Sequence, residues 1–290
     1  MKQKFTIEPA PMAGYTDFAF RKVLRRCGAR VTWTEMVSAT ALVHNSKKTA
    51  EMLRRSGKTV VQLFGKNPAH FAAVIESGIL DEFAEININM GCPARKISGN
   101  GDGVALMKNP ELARKIIEAC VRVSRRPVSV KMRLGFDKNV AVEFAKMCEC
   151  AGVSRLIVHG RLGVQGYSGK VDWAGVAQVV RAVKIPVIAN GDIRGLNDAR
   201  ECIAQTGAAG VMIGRALVGA PWILLPRHAT RATPSYRRGI IKHHLKHAVN
   251  ILEMRKHLLA YANHLPGGKE MKKRLAVVRS AREAREILGL

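Results

Sequence analysis

Long apolar runs are missing from this 290-residue sequence: no stretch approaches the roughly 18–20 uninterrupted apolar residues of a membrane-spanning helix. The start of the chain, Met1-Lys2-Gln3-Lys4-Phe5-Thr6-Ile7 followed by Glu8 and Pro9, has neither the apolar core nor the small-residue cleavage site of a signal peptide. A cytoplasmic location is therefore expected. Cysteine pairs at metal-ligand spacing are missing too. Cys27, Cys92, Cys120, Cys148, Cys150 and Cys202 are scattered, and Cys148-Glu149-Cys150 is the only close pair. In a reducing compartment these are expected as free thiols, mostly in the core. No G-x-G-x-x-G follows a strand-like run, and neither G-x-x-x-x-G-K-[ST] nor H-E-x-x-H occurs. That excludes a dinucleotide-binding domain of the usual kind and a zinc-hydrolase helix.

Acidic residues are in short supply: 22 Asp and Glu face 48 Lys and Arg, for a net charge of +26. Residues 227–290 hold 15 of the basic side chains and 4 of the acidic ones, so the surplus is dense there. Such a surplus repels itself, and a polyanionic partner explains it better than a merely soluble surface or adsorption to membranes. Hydrophobic residues, 47% of the chain, supply a large core, and the length suits one barrel-sized domain with a small appendage.

Short β-branched runs at 7–12, 31–36, 59–64, 85–89, 128–132, 155–159, 187–190 and 210–213 read as strands. Amphipathic stretches at 17–27, 68–77, 110–124, 140–151, 173–183 and 196–205 read as helices. Eight strands alternating with helices over some 225 residues predict a (β/α)8 TIM barrel, an α/β fold, rather than an open doubly wound sheet. The barrel is expected over residues 1–230. A small all-helical domain is expected over 235–290, with a loop at Leu265-Pro266-Gly267-Gly268 and one helix from Lys269 to Leu288. His243, His244 and His247 lack a carboxylate or cysteine at ligand spacing and read as a solvated face, so no metal is expected.

Polar and glycine-rich residues follow the strands in order, on the face where barrels build active sites. Asn190-Gly191-Asp192 and Gly214-Arg215 follow strands 7 and 8, where glycine turns can cradle a phosphate and Arg215 can fork onto it; two tight turns without a ligand are the alternative. Lys131, at the end of strand 5, is costly in an apolar strand unless it serves an anion, although an edge lysine reaching for solvent is open. His159, after strand 6, is either a structural histidine or a ligand contact. Cys92 lies in Asn89-Met90-Gly91-Cys92-Pro93 after strand 4. With an ordinary pKa of about 8.5 it is protonated at neutral pH, so it reads either as a core thiol or as a general acid.

These stretches, with Pro11-Met12-Ala13-Gly14, Thr34-Glu35-Met36, Val61-Gln62-Leu63-Phe64-Gly65, Lys131-Met132-Arg133, His159-Gly160-Arg161 and Gly166-Tyr167-Ser168-Gly169, resemble the dihydrouridine synthase family, in particular its bacterial B-type members. The resemblance covers roughly residues 5–225 in order, and its most specific parts are Asn89–Pro93 and the His159…Gly169 segment. It implies FMN at the barrel mouth, NADPH as reductant, and reduction of a uridine C5=C6 bond in tRNA, with rRNA as an alternative. Carried over residue by residue, it implies Pro11 and Met12 against the isoalloxazine, with Gln62, Lys131 and His159 bonding it or its side chain. It implies Asn190, Gly191, Asp192, Gly214 and Arg215 around the phosphate, and Cys92 as proton donor. Asn89, Arg133 and Tyr167 match positions around the flipped uracil. Ala216 and Ala220 depart from the family's usual Gly and Asn, and the tail matches only through Tyr261, Lys272, Arg279 and its apolar spacing. A monomer is expected. Two rivals are a flavin barrel acting on a free pyrimidine and an RNA-binding protein on an inactive barrel. The basic tail argues against the first, and the joint presence of Cys92, Lys131, His159 and the phosphate turns argues against the second.

Overall fold

The structure, a computed structural model, describes residues 5–225 and 231–290. Met1–Lys4 and the expected domain boundary at residue 230 lie outside the described residues. All eight expected strands are present: β1 (Thr6–Pro9), β2 (Thr32–Ser38), β3 (Thr59–Phe64), β4 (Glu85–Met90), β5 (Val128–Gly135), β6 (Arg155–Leu162), β7 (Val187–Asn190) and β8 (Gly210–Ile213). They pair in parallel in the order β1-β8-β7-β6-β5-β4-β3-β2. The two ends of this ladder meet through side chains. The Trp33 indole of β2 donates to Glu8 Oε2 of β1 at 3.1 Å. Arg155 of β6 bonds Glu8 Oε1 of β1 at 2.6 Å and Glu85 Oε2 of β4 at 2.9 Å. One guanidinium can touch β1 and β4 together only if the sheet is curled round on itself, so the architecture is a (β/α)8 barrel.

The helices start where local chemistry dictates. Asp17 caps Phe18–Arg26 by accepting from Phe20 N at 2.7 Å, Asn109 caps Pro110–Val123 through Leu112 N at 3.1 Å, and Asp172 caps Trp173–Ala182 through Gly175 N at 2.8 Å. The expected barrel helices agree with those observed to within a residue at nearly every end. Three strand ends differ by three residues. β1 stops at Pro9 rather than Met12 because the Met12 carbonyl turns to accept the amides of Tyr15 and Thr16. β5 and β6 run on to Gly135 and Leu162, which puts Arg133 and Arg161 at the mouth.

Alternation sorts the strand residues by face. In β4, Ile86, Ile88 and Met90 enter the apolar layer under the helices, while Glu85, Asn87 and Asn89 face inward. Inside the barrel, Ala10, Trp33, Val60, Ile157, Ile188 and Met212 form an apolar plug. Beside it a hydrogen-bonded chain climbs the barrel: Arg155 to Glu85, Glu85 to Ser129, Ser129 to Asn87, Asn87 to Gln62, and Gln62 to Asn89. Each member of this chain is thus paired with the next, as burial requires.

Beyond the barrel, the described residues include the helices Pro234–His247, Ile251–Ala262, Gly268–Leu275 and Ala281–Leu288. The expected single helix over 269–288 is two, because Ser280 caps a new one: its hydroxyl accepts from Glu283 N at 3.1 Å while Glu283 accepts from Arg279 N at 2.9 Å. The helices bury Ile240, Ile241, Leu245, Met254, Leu258 and Tyr261 in one apolar core with the barrel. His244 is not solvated as expected. It is 1% exposed, stacks on Phe20 at 5.6 Å between ring centroids and bonds the Tyr261 hydroxyl at 3.0 Å. Among the described residues no helix is long and apolar enough to cross a membrane, and no group of three or more His, Cys, Asp or Glu is placed to hold a metal ion.

Candidate active site at the C-terminal mouth of the barrel

The loop after β4 is built around Asn89. Its side-chain oxygen accepts from Gly91 N at 3.1 Å and Cys92 N at 2.9 Å, and its amide nitrogen donates to Gln62 Oε1 at 2.9 Å. Both ends of Asn89 are therefore engaged with protein, and so is Gln62, 1% exposed, whose Nε2 reaches Asn87 at 2.8 Å. Gly91 allows the turn to lie on the β5 backbone, since a Cβ there would stand 3.2 Å from the Met132 carbonyl carbon. The loop holds the half-buried Cys92 beside Lys131 and Arg133. Burial raises the thiol pKa more than the Ala94 amide, Lys131 and Arg133 lower it, so Cys92 is a neutral thiol at physiological pH.

Lys131 donates to Asn190 Oδ1 at 3.0 Å, and Asn190 passes its own amide to the Met212 carbonyl at 2.8 Å, linking β5, β7 and β8. Burial, helped by Arg133, lowers Lys131 to about 7. Arg133, 1% exposed, ties the Cys92 loop to β6 through Gly91 O at 2.9 Å and Leu162 O at 2.8 Å. Burial brings it to about 10, so it stays charged at neutral pH. The exposed ring of Tyr167 lies between Arg133 and Arg215, 5.5 Å and 5.3 Å from their guanidinium carbons.

His159 is 7% exposed, and burial first, then Lys131, Arg133, Arg161 and Arg215, push it down to about 2. Its ring lies against the β7 turn, where Gly191 at φ 125° leaves room: a Cβ there would come within 3.0 Å of the imidazole and 2.6 Å of Val171. Gly214 lies over Ala10 and Met12, each 3.6 Å from where its Cβ would be, so the missing side chain leaves space above Met12. Pro11 and Met12 are half-buried in the loop after β1. Asp192, at φ 48°, gives its carboxylate to two arginines, Arg161 and Arg215, the latter at 3.1 Å.

The structure thus gathers Lys131, Arg133, His159, Asn190, Gly191, Asp192 and Arg215 at one end of the barrel with Cys92 and Tyr167 beside them, while Gln62 and Asn89 lie beneath as supports. Two residues without a role in the sequence reading also belong here. Glu35 of β2 accepts the Gly14 amide and so anchors the loop carrying Pro11 and Met12. Arg161, 2% exposed, pairs with Asp192 and touches His159. Period-2 alternation from Arg155 through Ile157 and His159 was the signal that would have found Arg161.

A barrel mouth that sets a protonated thiol beside Lys131, Arg133 and Arg215 is the arrangement of an enzyme active site. The family model described as Dihydrouridine synthase matches residues 8–289. A Rickettsia conorii protein named "Probable tRNA-dihydrouridine synthase" is 38% identical over 284 residues, covering 91% of this chain and 86% of that one. The "tRNA-dihydrouridine synthase B" of Pseudomonas aeruginosa is 36% identical over 283 residues, covering 91% and 85%. Among solved structures, a mandelate oxidase mutant with benzaldehyde aligns at a TM-score of 0.51 and 19% identity, over 98% of this chain and 73% of that one, a likeness of fold alone. The chain belongs to the dihydrouridine synthase family.

Proposed function

We propose that this protein reduces the C5=C6 bond of uridines in tRNA to dihydrouridine, with FMN as its resident cofactor, NADPH as reductant and Cys92 as proton donor. The observation that carries the reading is the Cys92 thiol, kept neutral by burial and aimed by a loop that Asn89 holds through two amides. The residues present suit an FMN. The space left by Gly214 over Met12, the Gly191 turn and the exposed Arg215 suit its phosphate end, and Lys131 suits an anionic edge of its ring. When bound, FMN supplies the hydride that enters at C6.

Everything else is the work of this chain. Pro11 and Met12 present an apolar wall, and Lys131 and His159 offer donors to the ring or its side chain. Asn190 holds Lys131 in place, while Asp192 keeps Arg215 near the phosphate turns rather than touching phosphate itself, since two anions repel. Gln62 and Asn89 act from below, as the frame of the Cys92 loop. Arg133 and Tyr167 flank the pocket in which a flipped uracil is held. As charge builds toward C5 and O4 of the uracil, Cys92 Sγ gives its proton to C5, and the thiolate left behind is stabilised by Lys131 and Arg133 until solvent reprotonates it. Flipping costs a few kcal/mol, which a basic surface on the RNA backbone offsets.

Purified protein loaded with FMN is expected to form dihydrouridine in an unmodified tRNA transcript when NADPH is supplied, read by mass spectrometry of the digested RNA. Denaturation is expected to release FMN, not FAD. Turnover of free uridine as fast as of tRNA would overturn the RNA substrate. Dihydrouridine mapping in cells with and without the protein decides between tRNA and rRNA.

A further inference from the structure

We propose that Arg161 is a positioning residue: it holds His159 as the neutral tautomer with its proton on Nδ1, and it latches the loop carrying Tyr167 over the mouth. The proposal deepens the function proposed above and rests on it only for its effect on turnover.

Arginine has five N–H donors and no acceptor. All five of Arg161 are used. Nε donates to Ser168 O at 3.0 Å, and Nη2 donates to Gly169 O at 2.6 Å and to Asp192 Oδ2. Nη1 donates to Asp192 Oδ1 at 3.1 Å and meets His159 Nε2 at 3.3 Å. In that last contact the guanidinium can only donate, so Nε2 must hold its lone pair and the ring proton must sit on Nδ1. Burial first, and then the cationic surroundings of His159, keep the ring from gaining a second proton. The one N–H that His159 offers a ligand is therefore fixed by its neighbour two residues along β6.

The same guanidinium fixes the loop. Residues 163–170 are rooted at their start by Gly163 N to Gly135 O and Val164 N to Phe136 O, both at 2.9 Å. At the far end Arg161 grips the carbonyls of Ser168 and Gly169, directly after Tyr167. With both ends held, the exposed Tyr167 ring stays between Arg133 and Arg215. Asp192 completes the latch by joining Arg161 to Arg215, so a single buried side chain sets the imidazole, the tyrosine loop and the β7 turn. Lysine cannot do this, because an ammonium is a point donor and lacks the planar fork.

The test compares wild type with Arg161→Lys and Arg161→Gln. Ring ¹⁵N spectra, with His159 assigned through a His159→Asn variant, are expected to show in wild type a protonated Nδ1, a bare Nε2 and no titration between about pH 5 and 8. In Arg161→Lys, His159 is expected to populate both tautomers or to titrate within that window, and protease is expected to cut residues 163–170 faster. With FMN retained, kcat on tRNA is expected to fall about tenfold or more, as slight misplacement of a site group does. A proton on Nε2 in wild type overturns the proposal, and so do unchanged His159 signals and unchanged loop cleavage in Arg161→Lys. If Arg161→Gln does not fold, the wild-type and Arg161→Lys results still decide. Spectra and proteolysis need no turnover, so a protein inactive on tRNA but with this tautomer refutes the proposed function and not the latch.

Discussion

At Cys92, burial favours the neutral thiol while the Ala94 amide and two cations favour the thiolate, and burial is the largest of these effects. The residue is therefore equipped to give up a proton rather than to attack. Cys92→Ala is expected to slow dihydrouridine formation by about 10²–10⁴-fold, the usual range for losing a general acid, and to leave flavin reduction by NADPH unchanged. Single-turnover assays on tRNA check this, and an undiminished rate would assign the proton to another group. Lys131 behaves oppositely: burial and Arg133 hold it near 7, so the free protein at pH 8 carries it largely neutral. An anionic ligand next to it raises that value. FMN binding at pH 8 is then expected to take up close to one proton, and affinity to decline as pH rises through 7 to 9. Calorimetry in buffers of different ionisation enthalpy measures the uptake. Uptake unaffected by Lys131→Met would remove the lysine from the cofactor site.

Among the elements, those with one apolar face were legible in the sequence. The helix over Pro110–Val123 was legible because Leu112, Ile116, Ala119 and Val123 repeat at helical spacing and Asn109-Pro110 marks its start. The polar residues ending strands 5 to 8 were legible for a related reason, since a lysine or histidine in an apolar strand needs a purpose. What escaped was mostly polar and buried. Asn87, Ser129 and Glu85 look like solvent-facing strand residues, and only barrel closure by Arg155 shows that they face inward. Composition alone points His244 to solvent, although Ile240, Ile241 and Leu245 place it on an apolar helical face. That face joins the Pro234–His247 and Ile251–Ala262 helices to the barrel through His244 and His257, whose rings lie 5.6 Å and 4.6 Å from Phe20. Burial lowers His257 to about 4 and lowers His244 as well. The unfolded chain binds these protons at about pH 6.5, so stability is complete above that and is lost as pH falls toward 4. For His257 alone the loss at pH 4 is about 3 kcal/mol. Urea midpoints measured from pH 7 to 4.5 are expected to fall less steeply in His257→Phe than in wild type, and parallel profiles would count against this junction.

For the whole molecule, the +26 charge has to be set against where the basic groups sit. At the mouth, Arg133 and Arg161 are buried and committed to protein, so they are not free to grip an RNA backbone. In the tail, Arg237 is similarly spent on Ala232 O and His264 O and lies 5.3 Å from the Trp222 ring. Arg238, Lys242 and Lys246 of the Pro234–His247 helix are exposed, as are Lys273 and Arg274, while Lys272 is half-buried. Lys256 reaches from the next helix over the Tyr15 ring at 5.0 Å, so the tail adjoins the loop that carries Pro11 and Met12. Removing the tail is a poor test of its role, because it would strip cover from Phe20 and Trp222 along with the charge. Replacing Arg238, Lys242 and Lys246 together by Gln keeps the core and removes three exposed charges. Each phosphate contact contributes about 0.7–0.9 to the slope of log affinity against log salt. If these side chains contact tRNA, the triple variant is expected to flatten that slope by about two and to bind more weakly at low salt, with FMN retention unchanged. Equal slopes, measured by filter binding at several salt concentrations, would move RNA docking to the barrel rim and leave this helix as cover for the apolar surface beneath it.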